Sequence, residues 1–351
     1  MGKILVTGGC GYIGSHTIVD LVENGYNVIS VDNNSRSNPT ILLGVEAITG
    51  KKIKNYKVDL CNFDDTHAIF QENDDITGII HFAAYKTVEE SVHEPLLYFE
   101  NNLVSLMNLL KCVQEFQIPH FVFSSSCSVY GNAKDIPVTE KTALQAAESP
   151  YAATKQMGEQ IVNEFAKNSG TSFILLRYFN PAGAHPSAVI GEMPIGQPSN
   201  LVPVITQTGI GRIQKMYVYG NDYDTRDGSC IRDFIHVCDL ANAHTQSLKY
   251  LEKEKNNNTC EVFNLGTGNG VTVLEAIHAF EKVSAVKINY EVGPRRAGDV
   301  VSIFANNDLA KNILGWQPRF SLEDIMATAW NWEKRLKADE TVFSSLAGKL
   351  N

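Results

Sequence analysis

A chain of 351 residues, 44% hydrophobic and 20% charged, has enough apolar material for a large core and more than one lobe. Its formal net charge of −9 argues against an extended nucleic-acid surface or an anionic membrane as partner, and no apolar run approaches the length of a membrane span. The seven cysteines are scattered and form no C-x-x-C pair, which reads as free thiols in a reducing, cytoplasmic compartment. The nine histidines show no ligand spacing, so no metal is expected.

The chain opens directly on a strand pattern, Lys3 to Thr7, with no leader expected before it. Gly8, Gly11 and Gly14 follow in a G-x-x-G-x-x-G run that leads into an apolar-periodic helix near 12–24. Gly8 suits a tight turn needing positive φ. Gly11 permits close approach of backbone to a pyrophosphate, and Gly14 permits close packing of helix on strand. The helix N-terminus then offers free N–H groups to an anion. The next strand, 27–31, ends in Asp32, where a carboxylate can accept from an adenosine ribose and would repel a 2′-phosphate. This favours NAD over NADP, although Arg36 nearby argues the other way. The lesser alternative for Asp32 is a loop carboxylate that starts an Asx turn with Asn33 and Asn34.

Strands near 53–58, 76–82, 119–124 and 172–177 alternate with helices near 63–72, 95–116 and 149–168. That alternation predicts a Rossmann-type doubly wound parallel sheet, with ligands beyond the carboxyl ends of the strands. Beyond about residue 180 Pro, Gly and Asn become dense, which predicts a smaller α/β substrate-binding lobe over 181–351 after a dinucleotide-binding domain over 1–180. Val262–Gly266 reads as an added strand returning to the first sheet.

Tyr151 and Lys155 lie four apart, hence on one helical face, after Pro150. A phenol has an ordinary pKa of about 10 and needs help to act as a base near neutrality. A cation one turn away and the positive ring of an oxidised nicotinamide favour phenolate. Ser126, at the preceding strand tip, can bridge the proton.

The glycine run with Tyr151-x-x-x-Lys155 resembles the extended short-chain dehydrogenase/reductase superfamily. Finer motifs are similar to its UDP-glucose 4-epimerase family: Gly8 to His16, His81 to Lys86, Phe123 to Gly131, Leu176 to Pro186, Arg232 to His236, and Pro294-Arg-Arg-x-Gly-Asp299. The resemblance extends to about Trp332. It implies tightly bound NAD, a UDP-hexose substrate and inversion at C4 of the sugar through a 4-keto intermediate. Tyr151 would be the base, Lys155 its electrostatic partner and a ribose ligand, and Ser126 the bridge.

The resemblance further implies that Tyr12 and Ile13 contact the pyrophosphate, that Asp32 and Asn33 hold the ribose, and that Asp59 and Leu60 hold the adenine. Phe82, Ala83, Lys86, Asn101 and Phe179 would line the rest of the NAD pocket. Asn180, Asn200, Leu201, Tyr217, Val218, Tyr219, Arg232 and Arg296 would bind the UDP-sugar, with Lys86, Ser126, Tyr151 and Asp299 beside them. Local alternatives are an Arg232 pair with Asp233 and a solvated Arg295–Arg296 pair. Ile303 falls where the family gates room for a 2-acetamido group and where some members carry tyrosine, so N-acetylated UDP-sugars are expected to fit as well. By analogy, helices 95–116 and 149–168 would pair in a homodimer. A 4,6-dehydratase would need a carboxylic acid beside the tyrosine, and the strand tip Ser124-Ser-Ser-Cys127 has none. A dehydrogenase releasing its reduced cofactor and a non-catalytic NAD sensor are the other readings.

Overall fold

Alternation within the first strand sets the layers. In β1 (Lys3–Thr7), Ile4 and Val6 enter the core on one side of the sheet and Leu5 enters the core on the other. The computed structural model describes residues 2–296 and 299–338. Ala297 and Gly298 of the Pro294–Asp299 motif, and the expected second lobe beyond 338, lie outside the described residues.

The chain continues through β2 (Asn27–Val31), β3 (Asn55–Tyr56), β4 (Ile76–His81), β5 (His120–Ser126), β6 (Ser172–Tyr178) and β7 (Cys260–Leu265). These strands form one seven-stranded sheet in the order β7-β6-β5-β4-β1-β2-β3, parallel at every pairing. This is the doubly wound Rossmann-type sheet the alternation predicts. The order reverses between β1 and β4, which opens a crevice at their carboxyl ends. One face is covered by helices Tyr12–Glu23 and Val237–Glu252, the other by Ser105–Glu115 and Pro150–Ala166.

The long-range returns are substantial. Strand β7 pairs with β6, and helix Val237–Glu252 packs beside Tyr12–Glu23, with Tyr26 Oη donating to Glu252 at 2.7 Å. A separate core joins helices Leu201–Gly209, Val273–Ser284 and Leu322–Ala338 to strand Met216–Tyr219.

Two predicted elements differ in detail. The strand expected over 53–58 shortens to Asn55–Tyr56, because its neighbour β2 ends at Val31, opposite Tyr56. The helix expected over 95–116 is Pro95–Phe99, a π turn at Glu100–Val104, then Ser105–Glu115. The wide turn faces Asn102 inward, where its amide donates to Tyr85 O at 3.0 Å and Thr154 Oγ1 at 3.1 Å.

Candidate active site

At the end of β1 the chain turns through Gly8, whose φ is +68°. A Cβ on Gly8 would lie 2.9 Å from Ala83 N, and one on Gly14 only 2.2 Å from Gly8 O, so neither position admits a side chain. Gly11 caps helix Tyr12–Glu23 with no side-chain hydrogen bond, and the first turn holds no acidic residue. The N–H groups of that turn are therefore available to an anion. The cradle fits a pyrophosphate. Tyr12 can serve it through its backbone only, since its hydroxyl is buried and donates to Gly183 O at 2.6 Å, tying the helix start to the second half of the chain.

Asp32 uses both carboxylate oxygens. Oδ2 accepts from Cys10 N at 3.1 Å, and Oδ1 accepts from Asn34 N at 2.9 Å and Ser37 Oγ at 2.7 Å. The Asx turn weighed as an alternative is thus present, and the same carboxylate also braces the glycine loop. Asn33 Oδ1 accepts from Ser35 N. Arg36 is committed to Glu90 at 2.6 Å and stacks 4.9 Å from the Tyr85 centroid. That removes its argument for a 2′-phosphate. Asp59 accepts from Cys61 N at 2.9 Å. The Leu60 side chain is buried in the core beneath Ser105–Glu115, which leaves its backbone as the part that can meet a ligand. Ala83 N donates to Thr7 Oγ1 at 3.2 Å, the Phe82 ring lies 4.6 Å from that of His244, and Asn101 donates to Asn102 Oδ1 at 2.9 Å.

Across the crevice, Tyr151 and Lys155 lie on helix Pro150–Ala166, started by Pro150 and capped by Ser149 Oγ, which accepts from Ala152 N at 3.2 Å. Lys155 Nζ donates to Ser124 O at 2.6 Å and lies 6.0 Å from the Tyr151 ring centroid. Burial pushes the Tyr151 phenol up to about 12, with the Ser126 hydroxyl opposing it, and pulls the Lys155 ammonium down to about 8. Desolvation dominates within the chain, and the expectation that Lys155 and an oxidised nicotinamide together favour phenolate concerns the loaded site. Ser126 Oγ accepts from Ser128 N at 3.2 Å at the tip of β5.

The remaining candidates come from the second half of the chain. Arg232 Nη1 donates to Ile231 O and Val300 O, and Arg232 Nη2 reaches Asp299 Oδ1 at 3.3 Å. The pairing with Asp233 is absent: that carboxylate is wholly buried and accepts from Thr267 N, Thr267 Oγ1, Gly268 N and Ala305 N. Arg296 joins Asp299 as well, and Arg295 pairs with Asp222, so neither is simply solvated. Strand Met216–Tyr219 leaves Tyr217 and Tyr219 exposed and turns the Val218 side chain into the core, which leaves the Val218 backbone as the part that can meet a ligand. Asn180 N donates to Asp233 O. Lys86 Nζ and Asn200 Nδ2 both reach Glu192 Oε1, at 3.3 and 2.9 Å, and Leu201 starts the helix that follows. Phe179 and Ile303 share one buried apolar cluster, with Cys127 packed against it.

Sequence reading missed Asn102, Glu159, Glu192 and Asp233. Each acts through contacts distant in sequence. The one local signal was the Arg232-Asp233 dipeptide, and it pointed to the wrong partner. Among the described residues no group of three or more His, Cys, Asp or Glu side chains converges as a metal site.

A phosphate-cradling glycine turn facing a helical Tyr-x-x-x-Lys pair and a strand-tip serine defines an oxidoreductase-type fold of the short-chain dehydrogenase/reductase class. A family model described as GDP-mannose 4,6 dehydratase matches residues 5–329. UDP-glucose 4-epimerase of Bacillus subtilis is 45% identical over 331 residues, covering 94% of this chain and 96% of that relative. The crystal structure of UDP-glucose 4-epimerase from Bifidobacterium longum in complex with NAD+ and UDP superposes with a TM-score of 0.90 at 41% identity, covering 95% of this chain and 98% of that one. The UDP-Glc/GlcNAc 4-epimerase of Campylobacter jejuni does so with a TM-score of 0.82 at 36% identity, covering 95% and 100%. The chain belongs to the UDP-glucose 4-epimerase family.

Proposed function

We propose that this chain interconverts UDP-glucose and UDP-galactose, with Tyr151 and Lys155 as the proton-transfer unit and residues 1–180 and 181–351 as the dinucleotide and nucleotide-sugar lobes. One observation carries the reading: half-buried Tyr151 and buried Lys155 share one helical face beside Ser126, with Ser and Cys alone from Ser124 to Cys127. When bound, NAD would supply a reversible hydride acceptor for C4 of the hexose. Gly8, Gly11, Gly14 and the backbone of Tyr12 and Ile13 would hold its pyrophosphate. Asp32 and Asn33 would hold its ribose, and Asp59, the Leu60 backbone, Phe82, Ala83, Lys86, Asn101 and Phe179 would hold the rest. Tyr151 Oη takes the proton of the sugar 4-hydroxyl and later gives it back, with Ser126 Oγ as the bridge. Lys155 supplies positive charge to the phenolate. Arg232 and Arg296 hold the diphosphate, so the sugar can turn while its nucleotide stays. The Tyr217 and Tyr219 rings, Asn180, Asn200 and Leu201 complete that site.

The relatives with NAD and UDP in their descriptions support this reading. A dehydratase is disfavoured by the strand tip, which lacks an acid. Ile303 and the Campylobacter relative support UDP-N-acetylglucosamine and UDP-N-acetylgalactosamine as a second substrate pair. We also propose a homodimer, supported by the exposed apolar Val92, Leu96, Met107 and Met157 on the helices around 88–115 and 150–166. A cytoplasmic location is supported by seven free cysteines, and no described helix is long and apolar enough to cross a membrane.

The deciding experiment incubates purified protein with UDP-galactose and measures UDP-glucose. Tyr151→Phe is expected to lower kcat by roughly 10²- to 10⁴-fold, the usual share of a general acid–base group. Absorbance at 340 nm that grows with turnover would instead mark a dehydrogenase.

A further inference from the structure

Behind Tyr151 and Lys155 lies a buried polar cluster that the proposed chemistry leaves unused. Glu159, one turn beyond Lys155 on the same helix, receives Arg177 in a two-pronged pair: Nε to Oε1 at 2.8 Å and Nη2 to Oε2 at 2.6 Å. The two side chains are 4% and 7% exposed. Arg177 Nη1 donates to Tyr130 Oη at 3.1 Å, and that hydroxyl donates to Asn264 Oδ1 at 2.6 Å. Ser125 Oγ donates to Glu159 Oε1 from the tip of β5. One carboxylate thus joins the Tyr-Lys helix to β5 and β6. A buried pair of this kind can often be replaced by apolar residues without loss of stability, so stability alone does not account for it.

Lys155 is 6% exposed and has a carbonyl, Ser124 O, as its hydrogen-bond partner. The groups around it are Glu159 and Tyr151 on its own helix, His81 from β4, and Ser124 with the Tyr178 hydroxyl bonded to it from β5 and β6. Cys260 of β7 faces Glu159, and Arg177 of β6 holds it from the far side. In this set Glu159 is the anion. His81 stays neutral, since burial and Lys155 both hold it down, to about 3.

We propose that Glu159 is a positioning residue for the Tyr151–Lys155 unit. Its carboxylate, pinned by Arg177 and Ser125, is the counter-charge that keeps the buried Lys155 nitrogen an ammonium and sets the β5 tip against the helix. The inference rests on reading Tyr151 and Lys155 as the proton-transfer unit. Without the carboxylate, Lys155 would lose the one anion near it among the described residues and would release its proton at lower pH.

The test compares Glu159→Gln with the parent in two ways. The alkaline fall of kcat should move down by about one pH unit or more, the scale of a lost buried counter-charge. In thermal unfolding, the Tm gap between parent and variant should narrow as pH rises toward about 8, because Lys155 of the variant has already discharged. Superimposable kcat profiles, or a Tm gap that stays constant from about pH 6 to about pH 8, overturn the proposal, since a packing defect is indifferent to proton binding by Lys155. If Glu159→Gln does not fold, the paired change Glu159→Met with Arg177→Met removes both charges, and the same two readouts then decide, with the same direction expected. The Tm comparison needs no turnover. Loss of the epimerase reading would show instead as absent epimerisation by the parent.

Discussion

Arg232 and Arg296 meet on a single carboxylate: Asp299 Oδ1 accepts from Arg232 Nη2 at 3.3 Å and from Arg296 Nη2 at 2.9 Å. Asp299 holds the two guanidinium groups together and offsets part of their repulsion before any anion arrives. They are not equivalent. Arg232 is also fixed by two backbone carbonyls, whereas the Arg296 side chain is 55% exposed. Arg232→Met should therefore raise KM for UDP-galactose by roughly 10- to 100-fold, the worth of a charged hydrogen-bonding group. Arg296→Met should cost less, because its charge is screened by water. Initial-rate kinetics on the two variants test the order, and an equal or reversed effect sinks it.

Gly14→Ala should cost the dinucleotide rather than the fold. The added Cβ would lie 2.2 Å from Gly8 O and 2.9 Å from Gly9 Cα, so the turn that bares the helix N–H groups must shift. The remaining sheet is untouched, so circular dichroism should match the parent. Dinucleotide released by acid precipitation and assayed enzymatically should fall well below one per chain. Full occupancy in the variant would mean that the cradle is elsewhere.

The sheet was legible because each strand carries its own apolar run and each turn its own punctuation. The glycine loop and the Tyr151–Lys155 pair were legible because their spacing is local. For Leu60 and Val218, a family position says which segment meets a ligand, not whether side chain or backbone does so. Burial of one and strand alternation at the other decide that. The Arg232–Asp299 pairing, Glu192 between Lys86 and Asn200, and Glu159 against Arg177 all depend on how separate elements and loops approach in the fold, which no local pattern encodes. The breadth of the π turn at Glu100–Val104 follows from Asn102 bonding to Tyr85 and Thr154, another long-range cause.

Acid should unfold this protein through histidines held neutral in the core. Burial pulls His16 and His81 down to about 3, and His236 and His244 to about 4. A folded-state pKa below the unfolded value of about 6.5 means that the unfolded chain binds more protons, so stability is lost as pH falls below about 6.5. Each such residue contributes a slope of about 1.4 kcal/mol per pH unit until its folded pKa is reached. His244 Nδ1 lies 2.8 Å from Leu240 O, and its Nε2 is buried with no protein partner. His244→Gln should flatten the pH dependence of urea unfolding between about pH 6.5 and 5 by one such slope. An unchanged slope would show that this ring is protonated in the native state.

Ile303 should set the selectivity between plain and N-acetylated UDP-sugars. It pairs in register with Arg232 across two short parallel strands, which places it next to the arginine proposed to hold the diphosphate. It also shares an apolar cluster with Phe179, proposed above to line the cofactor site, and Cys127 packs against that cluster next to Ser126. A tyrosine at this position adds a ring and a hydroxyl to a packed cluster, and that added volume has to be taken from its surroundings. Ile303→Tyr is expected to lower the ratio of kcat/KM for UDP-N-acetylglucosamine to that for UDP-glucose by roughly 10-fold or more, the discrimination available from steric exclusion of a small group. Coupled assays with the two substrates on parent and variant measure that ratio. A parent that does not turn over UDP-N-acetylglucosamine would show that an isoleucine at this position does not open the site to a 2-acetamido group.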